Sequence, residues 1–245
     1  MTKQQPLSQS FGRASGSYER ARPGYPEEAV AWLLDDSPKR VADIGAGTGK
    51  LTRQLVADGR EVVAVDPDAE MLRSLHDAVP GVPTFVGSAE RLPLPDASVD
   101  TALFAQAWHW VEPVAASTEV GRVVRPGGRL GLIWNVRDES VEWVRRFGEI
   151  CHVSVAERMI TNGETIVHEP FGVLEEKTFH WAKPFSADGI LDLARSRSFY
   201  IGADAANQER IDRELRELTD ALPELADGGT IDLPYVTHAY RAVRL

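Results

Sequence analysis

Residues 41–51 read Val-Ala-Asp-Ile-Gly-Ala-Gly-Thr-Gly-Lys-Leu and carry the pattern that decides the fold. An apolar run leads into three glycines that alternate with single residues, and an amphipathic segment follows. Glycine allows a ligand to approach the main chain closely, and the first N–H groups of a helix have no partner within the helix. The stretch therefore predicts a strand, a ligand-binding turn and the start of a helix.

Two nucleotide-binding patterns resemble this turn in part. A phosphate-binding loop requires glycine at position 44 and serine or threonine at position 51, where this chain has Ile44 and Leu51, so that interpretation fails. A nicotinamide-binding turn has the form Gly-x-Gly-x-x-Gly, whereas Gly45, Gly47 and Gly49 are evenly spaced. A glycine-rich turn alone is weak evidence for a ligand-binding site. The motifs elsewhere in the chain are needed to identify the ligand.

Strand-like and helix-like patterns alternate on both sides of the turn. Short apolar runs rich in β-branched residues alternate with amphipathic segments of helical spacing. The predicted strands are 40–44, 61–66, 83–87, 99–105 and 128–134, and the predicted helices are 28–34, 48–58, 68–78 and 114–124. Such alternation predicts an α/β fold with a mostly parallel sheet, helices on both faces, and ligands at the carboxyl ends of the strands.

The pattern changes after Trp134. We expect a helix over 141–159, a strand over 173–183, mostly helical structure over 188–222 and a last strand over 235–245. No linker rich in Pro, Gly or Ser separates this part from the preceding one. We therefore predict one domain over residues 27–245, with a ligand-binding core at 40–134 and a helical insertion near the C-terminus within 135–245.

The composition restricts the class of protein. With 43% hydrophobic and 26% charged residues, the chain is typical of a globular protein with a sizeable core. The 27 basic and 37 acidic residues give a net charge of −10, which makes nucleic acid an unfavourable partner. The single cysteine, Cys151, is expected to be an inert core thiol. No leader or long apolar segment is visible, which favours a cytoplasmic protein without a membrane partner.

Further motifs follow the glycine turn in a fixed order. Asp66 ends the second strand, and the later motifs are residues 87–90 (GSAE), 105–110 (AQAWHW) and 124–128 (VRPGG). With Asp43 two positions before the first glycine, residues 40–134 resemble class I S-adenosylmethionine-dependent methyltransferases. The chain is similar to the small-molecule enzymes of methyltransferase domain type 11, including the trans-aconitate methyltransferase group. The resemblance implies a Rossmann-like seven-stranded sheet with an antiparallel last strand, and S-adenosyl-L-methionine as cofactor.

The resemblance also assigns residues that would bind this cofactor. The turn would line its amino-acid part, with Gly49 allowing the helix to begin close by. Asp66 would bind the ribose hydroxyls, although Asp66 or Asp68 is also placed to cap the next helix. The remaining turn and adenine-side candidates are Gly45, Ala46, Gly47, Met71, Ser88 and Ala89, and Gln106 is a further cofactor contact.

Residues 1–26 are predicted to form an N-terminal lid. Their second half is too polar and glycine-rich to be core, yet it carries aromatic and arginine side chains. It resembles the mobile lid of small-molecule methyltransferases, which excludes water from the sulfonium and opens to release products. Tyr18 and Arg22 lie four residues apart and would reach the cofactor carboxylate. Surface packing is the alternative for both.

Aromatic residues near the strand ends would meet the methyl acceptor. Trp108, Trp110 and Trp134 are expected either as walls suited to a sulfonium or as covers over the core. His109 is a candidate general base for a hydroxyl or phenol, whereas a carboxylate acceptor needs none. An arginine in the C-terminal insertion would suit an acidic acceptor. The residues of that insertion expected to roof the pocket are Arg197, Phe199 and Tyr200.

These features predict an S-adenosylmethionine-dependent methyltransferase that acts on a small molecule, with O-methylation of a carboxylate or hydroxyl group expected first. The alternatives are a methyltransferase that modifies tRNA or nucleosides and a non-catalytic cofactor-binding module. The histidines show no ligand spacing, so no metal is expected. A monomer or a homodimer is expected.

Overall fold

The computed structural model describes residues 22–34, 40–151 and 155–245. The strands in these ranges are β1 Arg40–Ile44, β2 Glu61–Asp66, β3 Thr84–Val86, β4 Val99–Ala105, β5 Val124–Arg137, β6 Glu175–Phe185 and β7 Ile231–Val243. They form a seven-stranded sheet in the order β3-β2-β1-β4-β5-β7-β6. The first five strands are parallel, and β7 runs antiparallel to both β5 and β6. The predicted Rossmann-like α/β sheet with an antiparallel last strand is confirmed.

The helices of the described part complete the layers. They are α1 Glu27–Leu34, α2 Lys50–Ala57, α3 Ala69–Ala78, α4 Pro113–Val123, α5 Glu142–Cys151, α6 Val155–Thr161, α7 Ala187–Arg195, α8 Ser198–Ile201 and α9 Ala205–Asp220. Of two 3-10 turns in these ranges, Trp108–Trp110 precedes α4 and Pro223–Gly228 follows α9. In these ranges no helix is both long enough and apolar enough to cross a membrane.

Two apolar layers sandwich the sheet because side chains alternate between its faces along each strand. Val41 in β1 belongs to the layer that α1, α2 and α3 cover with Leu33, Leu55 and Leu75. Its neighbour Ala42 belongs to the opposite layer, which α4 covers. Both faces of the parallel strands are therefore buried, and their continuous apolar runs in the sequence have this cause.

A third apolar cluster holds the C-terminal insertion on the sheet. Phe147 of α5, Ile190 of α7 and Leu215 of α9 are fully buried there beside Tyr235 of β7. Arg195 at the end of α7 donates two hydrogen bonds to the Asp212 carboxylate of α9, at 3.1 and 2.6 Å. Helices α5 and α7 to α9 therefore pack together against β7, and we call this group the helical cap.

Two predicted helical regions contain several of the described helices. The helix expected over 141–159 includes α5 and α6, and residues 152–154 lie outside the described ranges. The region 188–222 contains α7, α8 and α9, because Asp204 starts a new helix by accepting a hydrogen bond from the Asn207 N–H. Helical spacing alone did not reveal the breaks in this second region. The short segments that they create lie above the carboxyl end of the sheet.

Candidate functional site

A cavity of about 440 Å3 opens where β1, β2, β3 and β4 end. Parallel strands bring the loops after their carboxyl ends side by side, so residues distant in sequence share one wall. The sequence-predicted cofactor residues that line it are Arg22, Gly45, Ala46, Gly47, Met71, Asp66, Ser88, Ala89 and Gln106. The cavity continues past this set to β5, β7 and the helical cap. It therefore has room beside the predicted cofactor position.

The glycine turn after β1 has a backbone that side chains rarely tolerate. Gly45 and Gly47 have φ angles of +70° and +56°. A Cβ atom on Gly45 would lie 2.6 Å from the Cβ of Ala107, whereas the corresponding position on Gly47 has no described atom within 4 Å. Gly45 therefore permits a close approach of two loops. Gly47 leaves open space at the wall of the cavity.

Gly49 has a packing role and does not line the cavity within the described part of the chain. It caps the start of α2 with φ +84°, and a Cβ there would lie 2.7 Å from the side chain of Leu75 in α3. A residue without a side chain is needed so that α2 can begin close to α3. This agrees with the indirect role expected for Gly49.

Asp66, the last residue of β2, faces both the turn and the cavity. One carboxylate oxygen accepts the Gly47 N–H and the other accepts the Asp68 N–H, each at 2.8 Å. Each oxygen retains further acceptor capacity for ligand hydroxyl groups. Burial raises the pKa of Asp66. The cap of α3 is Asp68, which accepts from the N–H groups of Glu70 and Met71, so Asp66 remains available to a ligand.

Asp43 supports the turn from within the core. Its side chain is fully buried in β1, and one oxygen accepts a hydrogen bond of 2.6 Å from the Thr52 hydroxyl of α2. The other oxygen has no hydrogen-bond partner among the described residues. Burial raises the pKa of Asp43 to about 7, and the nearby Asp66 adds to the increase. Asp43 therefore joins β1 to α2 and does not itself line the cavity.

The ends of β4 and β5 are joined through polar side chains. Gln106 has φ +57°, and its side-chain amide donates to the backbone oxygen of Asn135 at 3.1 Å. The Asn135 amide in turn donates to the backbone oxygen of Gly24 at 2.8 Å, and its oxygen accepts from Thr237 at 2.7 Å. This chain of bonds fixes the middle of the cavity wall and ties it to the N-terminal segment.

The described part of the predicted lid lies over the turn. The Lys50 ammonium donates to the backbone oxygen of Arg22 at 2.6 Å, and the Gln54 amide donates to that of Tyr25 at 3.1 Å. Arg22 itself donates to the backbone oxygen of Ser196 at 3.1 Å in the helical cap. Residues 22–26 therefore connect α2 with the cap. Tyr18 lies outside the described residues.

His109 lies in the 3-10 turn after β4, at the cavity wall. Its Nδ1 is 3.3 Å from Nε1 of Trp134. Because an indole nitrogen only donates, Nδ1 accepts, and the neutral imidazole carries its proton on Nε2. Burial, with the positive charge of Arg22, lowers the pKa of His109 to about 4. His109 is thus a neutral donor at neutral pH, and this arrangement disfavours the expected role of general base.

The three tryptophans divide between cavity and core. Trp110 lines the cavity and is 46% exposed. Trp108 is buried, packs edge-on against Phe104 and donates to the backbone oxygen of Ile166 at 3.0 Å. Trp134 is buried beneath His109. Of the two expectations, a cavity wall fits Trp110 alone. Trp108 and Trp134 cover the core and are removed from the predicted acceptor pocket, because the 3-10 turn points Trp108 inward and β5 directs Trp134 into the core.

The helical cap closes the far end of the cavity. Arg197 and Phe199 line it, as predicted. Tyr200 does not reach it within the described structure: it lies beside Asp212, which together with burial raises the pKa of its hydroxyl group. The expectation for Tyr200 is therefore corrected, because the single turn of α8 directs neighbouring side chains to different sides.

Several cavity residues carry no recognisable sequence signal. Asn135, Glu157 and Tyr235 line the wall, and each follows or interrupts an apolar pattern without any motif. The only available sign was a polar residue in an otherwise apolar strand, at Asn135. Of the residues described, no group of three or more His, Cys, Asp or Glu side chains is arranged to hold a metal ion.

Comparisons with known proteins agree with this geometry. The family model of the methyltransferase domain matches residues 42–132. An uncharacterised methyltransferase of Mycobacterium tuberculosis is 46% identical over 96% of both chains. This chain belongs to the S-adenosylmethionine-dependent methyltransferases. A solved structure of a proposed type II methyltransferase from Anaeromyxobacter dehalogenans shares the fold, with 24% identity, a TM-score of 0.69 and coverage of 91% of this chain and 98% of that one.

A more distant relative shares only part of the methyltransferase. The malonyl-[acyl-carrier protein] O-methyltransferase of Methylococcus capsulatus is 39% identical over 134 residues, which are 50% of this chain and 49% of that protein.

The cavity of the methyltransferase fits its cofactor. The open space at Gly47 accommodates a ligand against the backbone, and Asp66 presents carboxylate oxygens with unused acceptor capacity.

Proposed function

We propose that this methyltransferase transfers the methyl group to a carboxylate oxygen of a small molecule. The observation that carries the proposal is the hydrogen bond from the Trp134 indole to Nδ1 of His109. It leaves His109 as a neutral Nε2–H donor at the cavity wall. A carboxylate with a pKa near 4 is already ionised at neutral pH and needs no base, whereas a hydroxyl acceptor must lose a proton.

The cofactor assignments of the sequence are retained in this proposal. Asp66 binds the ribose hydroxyls, and the turn with Gly45, Ala46 and Gly47 receives the amino-acid part. Met71, Ser88 and Ala89 contact the adenine. Arg22 and Gln106 lie where the cofactor meets the N-terminal segment and β4. The support for these roles is the shared cavity wall and the free acceptor capacity of Asp66.

S-adenosylmethionine, when bound, supplies an electrophilic methyl group on a cationic sulfonium. The protein then has to hold an acceptor oxygen about 3 Å from that carbon and in line with the breaking bond. The Nε2–H of His109 orients an acceptor oxygen, and Trp110 gives an aromatic wall suited to a cation. Residues 22–26 limit the access of water. Cancellation of a positive and a negative charge favours reaction in such a site.

Two further observations support a small oxygen acceptor. The helical cap forms one wall of the cavity, whose volume of about 440 Å3 suits a small molecule. The relative from Methylococcus capsulatus is named an O-methyltransferase, although it shares only half of this chain. The net charge of −10 disfavours the alternative of a tRNA-modifying enzyme.

A transfer assay distinguishes the acceptor classes. The enzyme is incubated with methyl-labelled S-adenosylmethionine and a panel of carboxylic acids, alcohols, phenols and amines of similar size. A methyl ester releases labelled methanol in mild base, whereas ethers and methylamines retain the label. We expect label transfer to acids in base-labile form, and none with the Asp66→Ala variant as a cofactor-binding control. Base-stable transfer to alcohols, phenols or amines, without transfer to acids, would contradict the proposal.

A further inference from the structure

Two arginines share one buried glutamate at the acceptor end of the cavity. Glu157 of α6 lies 3.1 Å from Nη2 of Arg137 and 3.5 Å from Nη1 of Arg197 through the same carboxylate oxygen. The side chains of Arg137, Glu157 and Arg197 are 0%, 8% and 17% exposed. Arg137 also lies 3.9 Å from a carboxylate oxygen of Glu139, whose side chain is 42% exposed. Burying charge is costly unless it is neutralised, and Arg197 shares its carboxylate with an arginine that lies closer to it.

The arginine that is less closely paired, Arg197, faces the cavity. Arg197 and Glu157 line the cavity wall, whereas Arg137 is fully buried at the end of β5, against the ring of Phe147. Glu157 is closer to Arg137, so its negative charge neutralises Arg197 less than it neutralises Arg137. Nε of Arg197 has no hydrogen-bond partner among the described residues. Native structures rarely leave such a buried donor without an acceptor.

Tyr235 adds a second unused donor to the same wall. It lies in β7 opposite Arg137, is 2% exposed and stacks on Trp181 at a centroid distance of 5.0 Å. Its hydroxyl group has no hydrogen-bond partner in the part of the chain that the structure describes. Burial raises the pKa of Tyr235 to about 12, so the group stays protonated and can donate. A cation and a donor thus face one end of the cavity.

We propose that Arg197 and the Tyr235 hydroxyl bind a carboxylate of the acceptor other than the one that receives the methyl group. The acceptor is then a dicarboxylic acid, one end at His109 and the other under the helical cap. This inference rests on the proposed function, because it assumes that a carboxylate is methylated. Arg137 is a positioning residue. It pairs more closely with Glu157 than Arg197 does, and this leaves Arg197 able to bind a carboxylate of the acceptor.

The chemistry of the two donors suits a carboxylate. The planar guanidinium group matches the two oxygens of a carboxylate, and a hydroxyl donor suits an oxygen beside it. A monocarboxylic acid bound for methylation would leave both donors unpaired, and such sites discriminate strongly against ligands that lack the matching group.

The experiment compares linear dicarboxylic acids from malonate to adipate with their monoamides, using labelled S-adenosylmethionine and methanol release. The variants are Tyr235→Phe, Arg197→Met and Arg197→Lys, with Arg213→Met, an exposed arginine on α9, as the matched control. Calorimetric binding of S-adenosylhomocysteine shows whether each variant retains its fold and its cofactor site.

We expect one dicarboxylic acid to exceed its monoamide in kcat/KM by roughly 10- to 100-fold. Arg197→Met should remove most of this preference through KM, Arg197→Lys should restore part of it, and Tyr235→Phe should reduce it about threefold or more. Arg213→Met should behave as the unmodified enzyme. Equal use of acids and monoamides, or a preference unchanged in Arg197→Met, would overturn the inference while the proposed function stands.

A binding measurement covers the case in which no acid is methylated, which would count against the proposed function alone. The same dicarboxylates are titrated into the enzyme saturated with S-adenosylhomocysteine. Binding that is at least about 10-fold weaker in Arg197→Met, but unchanged in Arg213→Met, would support the anion site. Absence of binding, or equal binding by both variants, would overturn it.

Discussion

The carboxylate of Asp66, at the end of β2, accepts a hydrogen bond from the backbone N–H of Gly47 with a donor–acceptor distance of 2.8 Å. The two residues are 19 positions apart and lie at the carboxyl ends of neighbouring parallel strands. One side chain therefore stabilises the glycine turn and lines the cavity at the same time. We expect cofactor affinity and turn geometry to be coupled through this bond.

Substitution of Asp66 tests that coupling. In Asp66→Asn one carboxylate oxygen becomes an NH2 group, which cannot accept a hydrogen bond. The side chain can then no longer accept from both the Gly47 and the Asp68 N–H groups. We expect the Kd for S-adenosylhomocysteine, measured by calorimetry, to rise roughly 10- to 100-fold. Asp77→Asn, an exposed substitution on α3, removes the same charge and should leave the Kd unchanged. An unaltered Kd in Asp66→Asn would remove Asp66 from the cofactor site.

The turn glycines should differ in what they tolerate. Gly45→Ala combines a φ of +70° with a contact of 2.6 Å to Ala107, so we expect a loss of about 2–4 kcal/mol in the free energy of unfolding. Gly47→Ala has only the backbone cost of about 1–2 kcal/mol, but its methyl group narrows the cofactor cavity. Chemical denaturation and calorimetry measure the two effects separately.

Gly81→Ala is the matched control for both. Its φ is +90° and its Cβ position is open, but it lies between α3 and β3, away from the cavity wall. It should lose stability to a similar extent as Gly47→Ala while retaining cofactor affinity. Equal cofactor affinity in Gly47→Ala and Gly81→Ala would contradict the placement of the cofactor against Gly47.

The tautomer of His109 has kinetic consequences. Because its pKa is lowered to about 4, we expect no decrease of kcat/KM from pH 8 to pH 5 that depends on His109. His109→Gln keeps a side-chain N–H donor and should stay within about threefold of the unmodified enzyme, whereas His109→Phe should lose about 10-fold or more. These rates are measured with an acceptor identified by methanol release.

The Trp134→Phe variant separates orientation from chemistry. It removes the indole donor, so Nδ1 of His109 loses its partner and the Nε2–H tautomer is no longer enforced. The 15N spectrum of labelled histidine should show one neutral tautomer in the unmodified enzyme and a mixture in the variant. An acidic limb near pH 6.5 that disappears in His109→Gln would instead restore His109 as a base.

Asp43 makes stability depend on pH. Its pKa rises from an ordinary value of 3.8 to about 7 in the folded protein, so its stabilising contribution is complete below pH 3.8 and is lost as the pH rises through 7. Asp43→Asn cannot ionise. We therefore expect the difference in unfolding free energy, Asp43→Asn minus the unmodified protein, to increase from pH 4 to pH 8 by on the order of 2–4 kcal/mol.

Urea denaturation at several pH values measures this difference. Asp58→Asn, which removes an exposed carboxylate beyond the end of α2, serves as the control and should show a much smaller change over the same range. A pH-independent difference between Asp43→Asn and the unmodified protein would show that Asp43 does not titrate in this range.

The wall of the cavity around the glycine turn was predictable because its determinants are local. Backbone conformations such as φ +56° at Gly47 require glycine, and a carboxylate at the end of β2 has a defined place beside the turn of β1. These requirements leave residue types at regular spacings in the chain. The order of the strands follows from the same alternation of apolar and amphipathic segments.

The opposite wall of the cavity was less predictable because its determinants are distant in the sequence. The spacing of Trp108 and Trp134 suggested walls, but their burial depends on a 3-10 turn and on the face of β5 that packs inward. Arg137 and Tyr235 carry no motif, and only strand pairing brings them beside Glu157 and Arg197.

The sequence by itself determined the class of fold, the cofactor and the glycine turn after β1, since local backbone geometry and motif spacing specify these features. Only the tertiary structure decided which nitrogen of His109 accepts from Trp134 and which arginine is less closely paired with Glu157. Both depend on partners such as Trp134 and Glu157, whose proximity arises from packing between separate elements. Protonation and charge balance are properties of such contacts, and the order of residues along the chain does not record them.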